Sequence, residues 1–234
     1  MAVNIDDVYQ AVLAVANKEQ RGYITPQEFQ TFANHAQKEI LEQYFYDINQ
    51  FGRVPGNSTE HSDMLNLLDE KLSVFKKVSP ALAVDPGTFR VQLPSDLYKI
   101  GSLSHVMFNK THIFEEINYN ELVTMQKSAL TSPTFSRPVY TNHTGGFLTI
   151  YPSGISSVNM SYIKQPKKPR WGYVVAGDKA LYNASASVHF ELHATEQTEL
   201  VYKILKLSGV AIKQQDVAVA GQTLETQKIQ QEKQ

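Results

Sequence analysis

Residues Ser136 to Pro169 read S-R-P-V-Y-T-N-H-T-G-G-F-L-T-I-Y-P-S-G-I-S-S-V-N-M-S-Y-I-K-Q-P-K-K-P. Gly145-Gly146 is a turn signal. It separates Val139-Tyr140-Thr141 from Phe147-Leu148-Thr149-Ile150-Tyr151, and Pro152-Ser153-Gly154 breaks the chain again before Val158 to Ile163. In the last run Val158, Met160 and Tyr162 alternate with Asn159 and Ser161, so apolar side chains fall on one face. Period-2 alternation bounded by turn residues predicts a three-strand meander with one dry face. Nothing in it carries a catalytic pattern.

Upstream the pattern is helical. Asn4 can cap a helix from Ile5, with Asp6 and Asp7 at its positive end and Val8, Val12 and Val15 as its apolar stripe. Thr25-Pro26-Gln27-Glu28 is a capping box with proline at the first helical position, where a missing N–H costs nothing. The helix it starts should run to Gln50 with Phe29, Phe32, Ala36, Ile40, Tyr44 and Ile48 inward. Gly52 to Ser58 is a loop, and a third helix follows from Thr59 to Lys77. Short connections of this kind predict an antiparallel helical bundle.

After Ser79-Pro80 the character changes. Phe89, Val91 and Leu93 alternate with Arg90 and Gln92 as a strand. Leu103 to Phe108 and Thr111 to Phe114 form a hairpin across Asn109-Lys110. Asn118 to Glu121 starts a short helix. Beyond the meander, Ala186 to Leu192 reads as one more strand. Thr195 caps a last helix carrying Leu200, Val201, Ile204, Leu205 and Leu207, and Gly209 suits its stop. The predicted class is α+β: a helical bundle over 1–78, an antiparallel β-rich part over 79–192, a C-terminal helix over 193–211 packing on the bundle, and a polar arm over 212–234. Seven of the last 21 residues are glutamine, a composition that does not fold alone. Val217, Val219, Leu224 and Ile229 are the arm's anchors for a neighbouring chain.

The totals exclude several classes. Lys and Arg number 22 against 23 Asp and Glu. That balance argues against a chain whose main task is to grip nucleic acid or an anionic membrane. No apolar run approaches the ~20 residues that span a bilayer, and Met1 to Gln20 lacks the basic lead of a secretory signal. There is no cysteine, hence no disulfide or thiolate chemistry. Five N-x-S/T triplets, beginning at Asn57, Asn109, Asn142, Asn159 and Asn183, read as turn and strand chemistry.

Candidate sites are few. His189-Phe190-Glu191-Leu192-His193 is not H-E-x-x-H, because the glutamate is misplaced. Gly145-Gly146 lacks the Lys-Ser/Thr and helix start of a phosphate loop, and no G-x-S-x-G elbow occurs. We therefore expect no enzyme, metal or cofactor. Lys164, Lys167, Lys168 and Arg170 beside Trp171 and Tyr173 are the one basic-aromatic cluster. It admits two readings: contact with phosphates or an acidic partner surface, or a solvated proline-broken loop. Trp171, the sole tryptophan, suits either an interface anchor or a small core.

The order of motifs resembles the head-to-tail adaptor, or connector ring, proteins of short-tailed bacteriophages, most nearly the ring and structural proteins of crAss-like phages. The residues that carry it are Phe89 to Ile100 (F-R-V-Q-L-P-S-D-L-Y-K-I), Arg137-Pro138-Val139-Tyr140, Leu148 to Pro152, Met160 to Pro166, and Glu191-Leu192 before a helix and a polar extension. They span Phe89 to Gly209, about half the chain. The resemblance implies a homo-oligomeric ring, typically twelvefold, below a portal protein in the virion. It would be assembled in the bacterial host cytoplasm, extending the channel for genomic DNA and docking tail proteins. The resemblance brings no catalytic residue. Alternatives are another capsid- or tail-associated part, or a small binding module or enzyme with an unrecognised site.

Overall fold

The computed structural model describes residues 3–18, 24–51, 63–107, 109–143, 145–177, 179–211, 222–223 and 226–227. The chain is α+β. Its elements are α1 (Ile5–Lys18), α2 (Pro26–Phe51), α3 (Asp63–Ser73), β1 (Lys76–Ala83), β2 (Arg90–Gln92), β3 (Leu97–Met107), β4 (Lys110–Ile113), β5 (Glu115–Glu116), α4 (Tyr119–Met125), β6 (Val139–His143), β7 (Phe147–Tyr151), β8 (Ser157–Lys164), β9 (Tyr173–Ala176), β10 (Lys179–Tyr182) and α5 (Gln197–Ala211). They divide into two compact units. One holds Met1–Val74 with Pro166–Gln234; the other is Phe75–Gln165.

In the first unit the helix starts follow local chemistry. Asn4 Oδ1 accepts from the Asp6 N–H at 3.1 Å, as a cap should. Ile5, Val8, Tyr9, Val12 and Ala16 are buried, whereas Val15 is exposed, so the stripe follows the 3.6 period through Ala16. The capping box is complete. Glu28 N–H donates to Thr25 Oγ1 at 3.3 Å, and the Thr25 N–H and Oγ1–H donate to Glu28 Oε2 at 2.9 and 2.8 Å. Phe29, Ala36, Ile40 and Tyr44 are buried as predicted, and Ala33, Gln37 and Leu41 join them. Helix α5 packs on both α2 and α1. The third helix ends at Ser73, not Lys77, because Lys76 onward is claimed by a β-ladder in the other unit. Its predicted start at Thr59 lies outside the described residues. The last helix is entered through a 3₁₀ turn, Ala194–Glu196, capped by His193 rather than by Thr195.

The two donors on Glu28 hold its carboxyl below the usual 4.5, the Thr25 backbone N–H most of all. A depressed carboxyl contributes stability that is present above pH 4.5 and lost as pH falls through its folded value. Thr25→Ala should cost about 1 kcal/mol at neutral pH. The deficit should shrink in acid, where the wild-type box opens too. Urea melts at neutral and acidic pH measure both. An unchanged melt at neutral pH would mean the cap contributes nothing.

The second unit holds two four-stranded sheets, ordered β1-β8-β3-β4 and β2-β7-β6-β5. Buried residues of both sheets, among them Leu103, Met160, Tyr162, Val91, Leu148 and Ile150, form one core. Val158, Met160 and Tyr162 are the buried face of β8, as the alternation requires. The meander itself is not formed. Strand β7 pairs with β6 on one side and β2 on the other, so neither edge is left for β8. Pro152 to Ser156, with Gly154 at φ 102°, carries the chain to the other sheet, where β8 lies between β1 and β3. Alternation fixed the face and not the neighbour. The hairpin turn sits one residue earlier than predicted. Asn109 is left-handed (φ 59°), and Lys110 already pairs with Met107. Tyr162 Oη and Lys77 Nζ both donate to Asp96, at 3.0 and 2.8 Å, closing the start of β3 against β1 and β8.

The sequence places Pro166 to Leu192 in the β-rich part. In the structure it belongs to the helical unit. The physical reason is a set of hydrogen bonds to α1 and α2, described next.

Candidate functional site

Pro166, Pro169 and Trp171 are buried, and Lys167, Lys168 and Arg170 between them are exposed. The segment therefore turns its apolar residues inward and presents its cations outward. Gln37, fully buried on α2, fixes one end. Its Nε2 donates to the Lys167 carbonyl at 2.8 Å, and its Oε1 accepts from the Glu191 N–H at 3.2 Å. Glu191 Oε2 in turn accepts from the Lys167 N–H at 3.0 Å. Arg170 and Val188 exchange both backbone bonds, at 3.0 and 2.8 Å. Backbone groups are thus consumed locally, and the charged side chains are not needed to hold the loop. Among the described residues none of Lys167, Lys168 and Arg170 is in an ion pair.

Trp171 closes the core of this unit. It is 2% exposed. Its Nε1–H donates to Asp6 Oδ1 at 2.9 Å, its carbonyl accepts from Gln30 Nε2 at 3.0 Å, and its ring lies 4.4 Å from that of Tyr9. Of the two readings the sequence left open, burial selects the core. The ring also stacks on Tyr173 at 5.6 Å and meets Tyr182 at a tilt at 6.0 Å; these two tyrosines are cross-strand partners at the root of the β9–β10 hairpin. Gly172 is obligatory in this join, because a Cβ there would lie 2.6 Å from the Ala186 carbonyl carbon.

The hairpin has no third strand among the described residues. Tyr173, Val175, Ala180 and Tyr182 share the face that begins on Trp171. Val174, Ala176, Lys179 and Leu181 share the other. Val174, Val175 and Leu181 are all more than half exposed. A two-stranded ribbon that leaves branched apolar side chains in water is marginal by itself.

The remaining sequence candidates fall elsewhere. Lys164 ends β8 in the other unit, where its N–H donates to the Phe75 carbonyl. It is therefore not part of the loop that displays the other three cations. Val217, Val219, Leu224 and Ile229 lie outside the described residues. His189 accepts the Ile5 N–H on Nδ1 at 3.3 Å, and His193 Nδ1 sits 2.9 Å from Thr195 Oγ1, so both are occupied at chain ends of helices. Among the described residues no three His, Asp or Glu side chains converge as metal ligands, and no helix is long and apolar enough to cross a membrane.

Sequence reasoning missed a buried ionic layer. Lys71 Nζ is 2.7 Å from Glu196 Oε1, with both side chains almost wholly buried and the Tyr44 ring 5.7 Å from the ammonium. Lys203, 1% exposed, reaches Glu39 at 3.2 Å and Glu199 at 3.7 Å. The available signal was the placement of Lys203 and Glu199 within the apolar run Leu200, Val201, Ile204. No protein-family model matches the chain, and neither does any curated protein.

Proposed function

We infer that this chain is a structural subunit of a virion, forming a homo-oligomeric head-to-tail connector ring below a portal protein and docking tail proteins. The reading rests on the resemblance across Phe89 to Gly209. The observation that carries it is uncovered apolar β-surface. On β3–β4, Val106 and Ile113 are exposed diagonal neighbours on one face, and Val78 of β1 is exposed as well. With Val174, Val175 and Leu181 they give each unit a strand surface suited to another protein. Such a ring works by geometry, without a reaction, cofactor or metal. Its basic loop faces phosphate or an acidic neighbour, and its polar arm over 212–234, through Val217, Val219, Leu224 and Ile229, reinforces assembly by adding a second contact to each subunit. The N-terminal helices pack as an antiparallel bundle that supports the ring.

Sedimentation velocity and negative-stain imaging of the full chain test this. Closed rings of one size are expected, typically twelvefold. A monodisperse monomer at every concentration, or open filaments, would overturn it, because a heterologous contact that does not close is not a ring contact.

A further inference from the structure

Two surfaces of this chain are complementary in charge and apolar character. From Pro166 to Phe190 the chain carries Lys167, Lys168, Arg170 and Lys179 against the single acid Asp178, a balance of four minus one, or +3. All four cations are exposed, and the outward hairpin face beside them presents Val174, Ala176 and Leu181. From Thr111 to Gln126 the chain carries Glu115, Glu116 and Glu121 and no Lys or Arg, a balance of −3. Those acids line a groove of about 590 Å³ between β5 and α4, floored by Ile117 and Met125. Strand β5 is the edge of its sheet, so its outer side is unpaired among the described residues.

The acids are held in place. Glu116 Oε2 accepts from Tyr140 Oη at 3.2 Å; burial and this neighbouring carboxylate push the Tyr140 hydroxyl up to about 12, so it stays a donor at neutral pH. Glu121 Oε2 accepts the Asn118 N–H at 3.1 Å. Glu115 is exposed and is in no ion pair among the described residues.

We propose that the β9–β10 hairpin of one copy docks in the β5–α4 groove of a second copy, apolar face against Ile117 and Met125 and cations against the three glutamates. The inference rests on the ring reading and specifies its contact. A hairpin-to-hairpin contact would set +3 against +3, whereas the hairpin-to-groove contact is head-to-tail and can close a ring. A nucleic acid would satisfy the cations and leave Val174 and Leu181 in water, so the second copy accounts for more of the surface.

The chain has no cysteine, so single cysteines report without background. Ala176→Cys marks the outward hairpin face, and Thr124→Cys lines the groove. Full-length chains carrying one or the other are co-expressed and treated with a short bismaleimide. A cross-linked dimer is expected in the mixture and in neither variant alone. Glu115→Lys on the groove chain should lower the yield about tenfold, and Arg170→Glu on the hairpin chain should restore most of it. Self-cross-linking of Ala176→Cys, or protection of that cysteine by duplex DNA in place of the mixed cross-link, overturns the contact. Light scattering on the same samples separates the two inferences. Oligomers without the mixed cross-link sink this interface and leave the ring; monomers without cross-link sink both.

Discussion

Trp171→Ala should destabilise the subunit by about 3–5 kcal/mol, a large share of the 5–15 kcal/mol that holds a typical domain folded. The side chain is 2% exposed, so its deletion opens a cavity bounded by Tyr9 and the two hairpin tyrosines. It also removes the donor to Asp6, which ties the segment after Pro166 to the first turn of α1. Trp171→Phe keeps most of the ring and loses only that donor, so it should cost about 1 kcal/mol beyond the trimmed volume. Urea melts followed by circular dichroism measure both, since the alanine variant has no tryptophan left to fluoresce. The two roles the sequence allows this residue predict opposite outcomes. A core residue lowers subunit stability. An interface anchor leaves the melt unchanged and weakens assembly. A loss under about 1 kcal/mol together with failed assembly would restore the anchor role.

The elements were legible wherever the local chemistry is self-sufficient. Thr25 to Glu28 specifies a helix start through bonds four residues long, and the same bonds are present in the structure. Asn118 to Glu121 and the alternation of Val158, Met160 and Tyr162 belong to the same class. Partnership was not legible. Strand β8 carries no mark that it lies between β1 and β3, because that depends on β2 having taken the second edge of β7. Nor does Pro166 to Leu192 announce that it packs with helices. What holds it there is Gln37, a wholly buried polar residue in line with the inward positions Tyr44 and Ile48, whose bonding partners lie more than 100 positions away in the chain. The basic cluster was legible as composition, and three of its four cations are displayed by one loop. Only sequence proximity joins Lys164 to them, across the point where the chain passes from one unit to the other. The β9–β10 hairpin is not legible because its strands, Tyr173–Ala176 and Lys179–Tyr182, are four residues each and show no apolar-polar alternation.

The buried ionic layer gives the other large effect. Lys71→Met should cost about 3–5 kcal/mol, since it removes the ammonium 2.7 Å from the buried Glu196 carboxylate. Lys71 comes from α3 and Glu196 from the 3₁₀ turn that leads into α5, so the pair joins segments 125 positions apart in the chain. Its value lies less in net stability than in where it forces α3 to sit, because two desolvated charges tolerate one another and little else. That distinction is measurable. The double variant Lys71→Met with Glu196→Leu removes both charges and fills the space with carbon, so it should recover most of the loss and could exceed the wild type. A double-mutant cycle of urea melts gives the coupling directly. Added salt should hardly change it, since the side chains are 6% and 0% exposed and counter-ions cannot approach. The proposed hairpin-to-groove contact would be made by exposed charges, so the yield of its mixed cross-link should fall as salt is added. A Lys71→Met protein that melts within about 1 kcal/mol of wild type would show that water reaches Glu196, and that the layer does not fix α3.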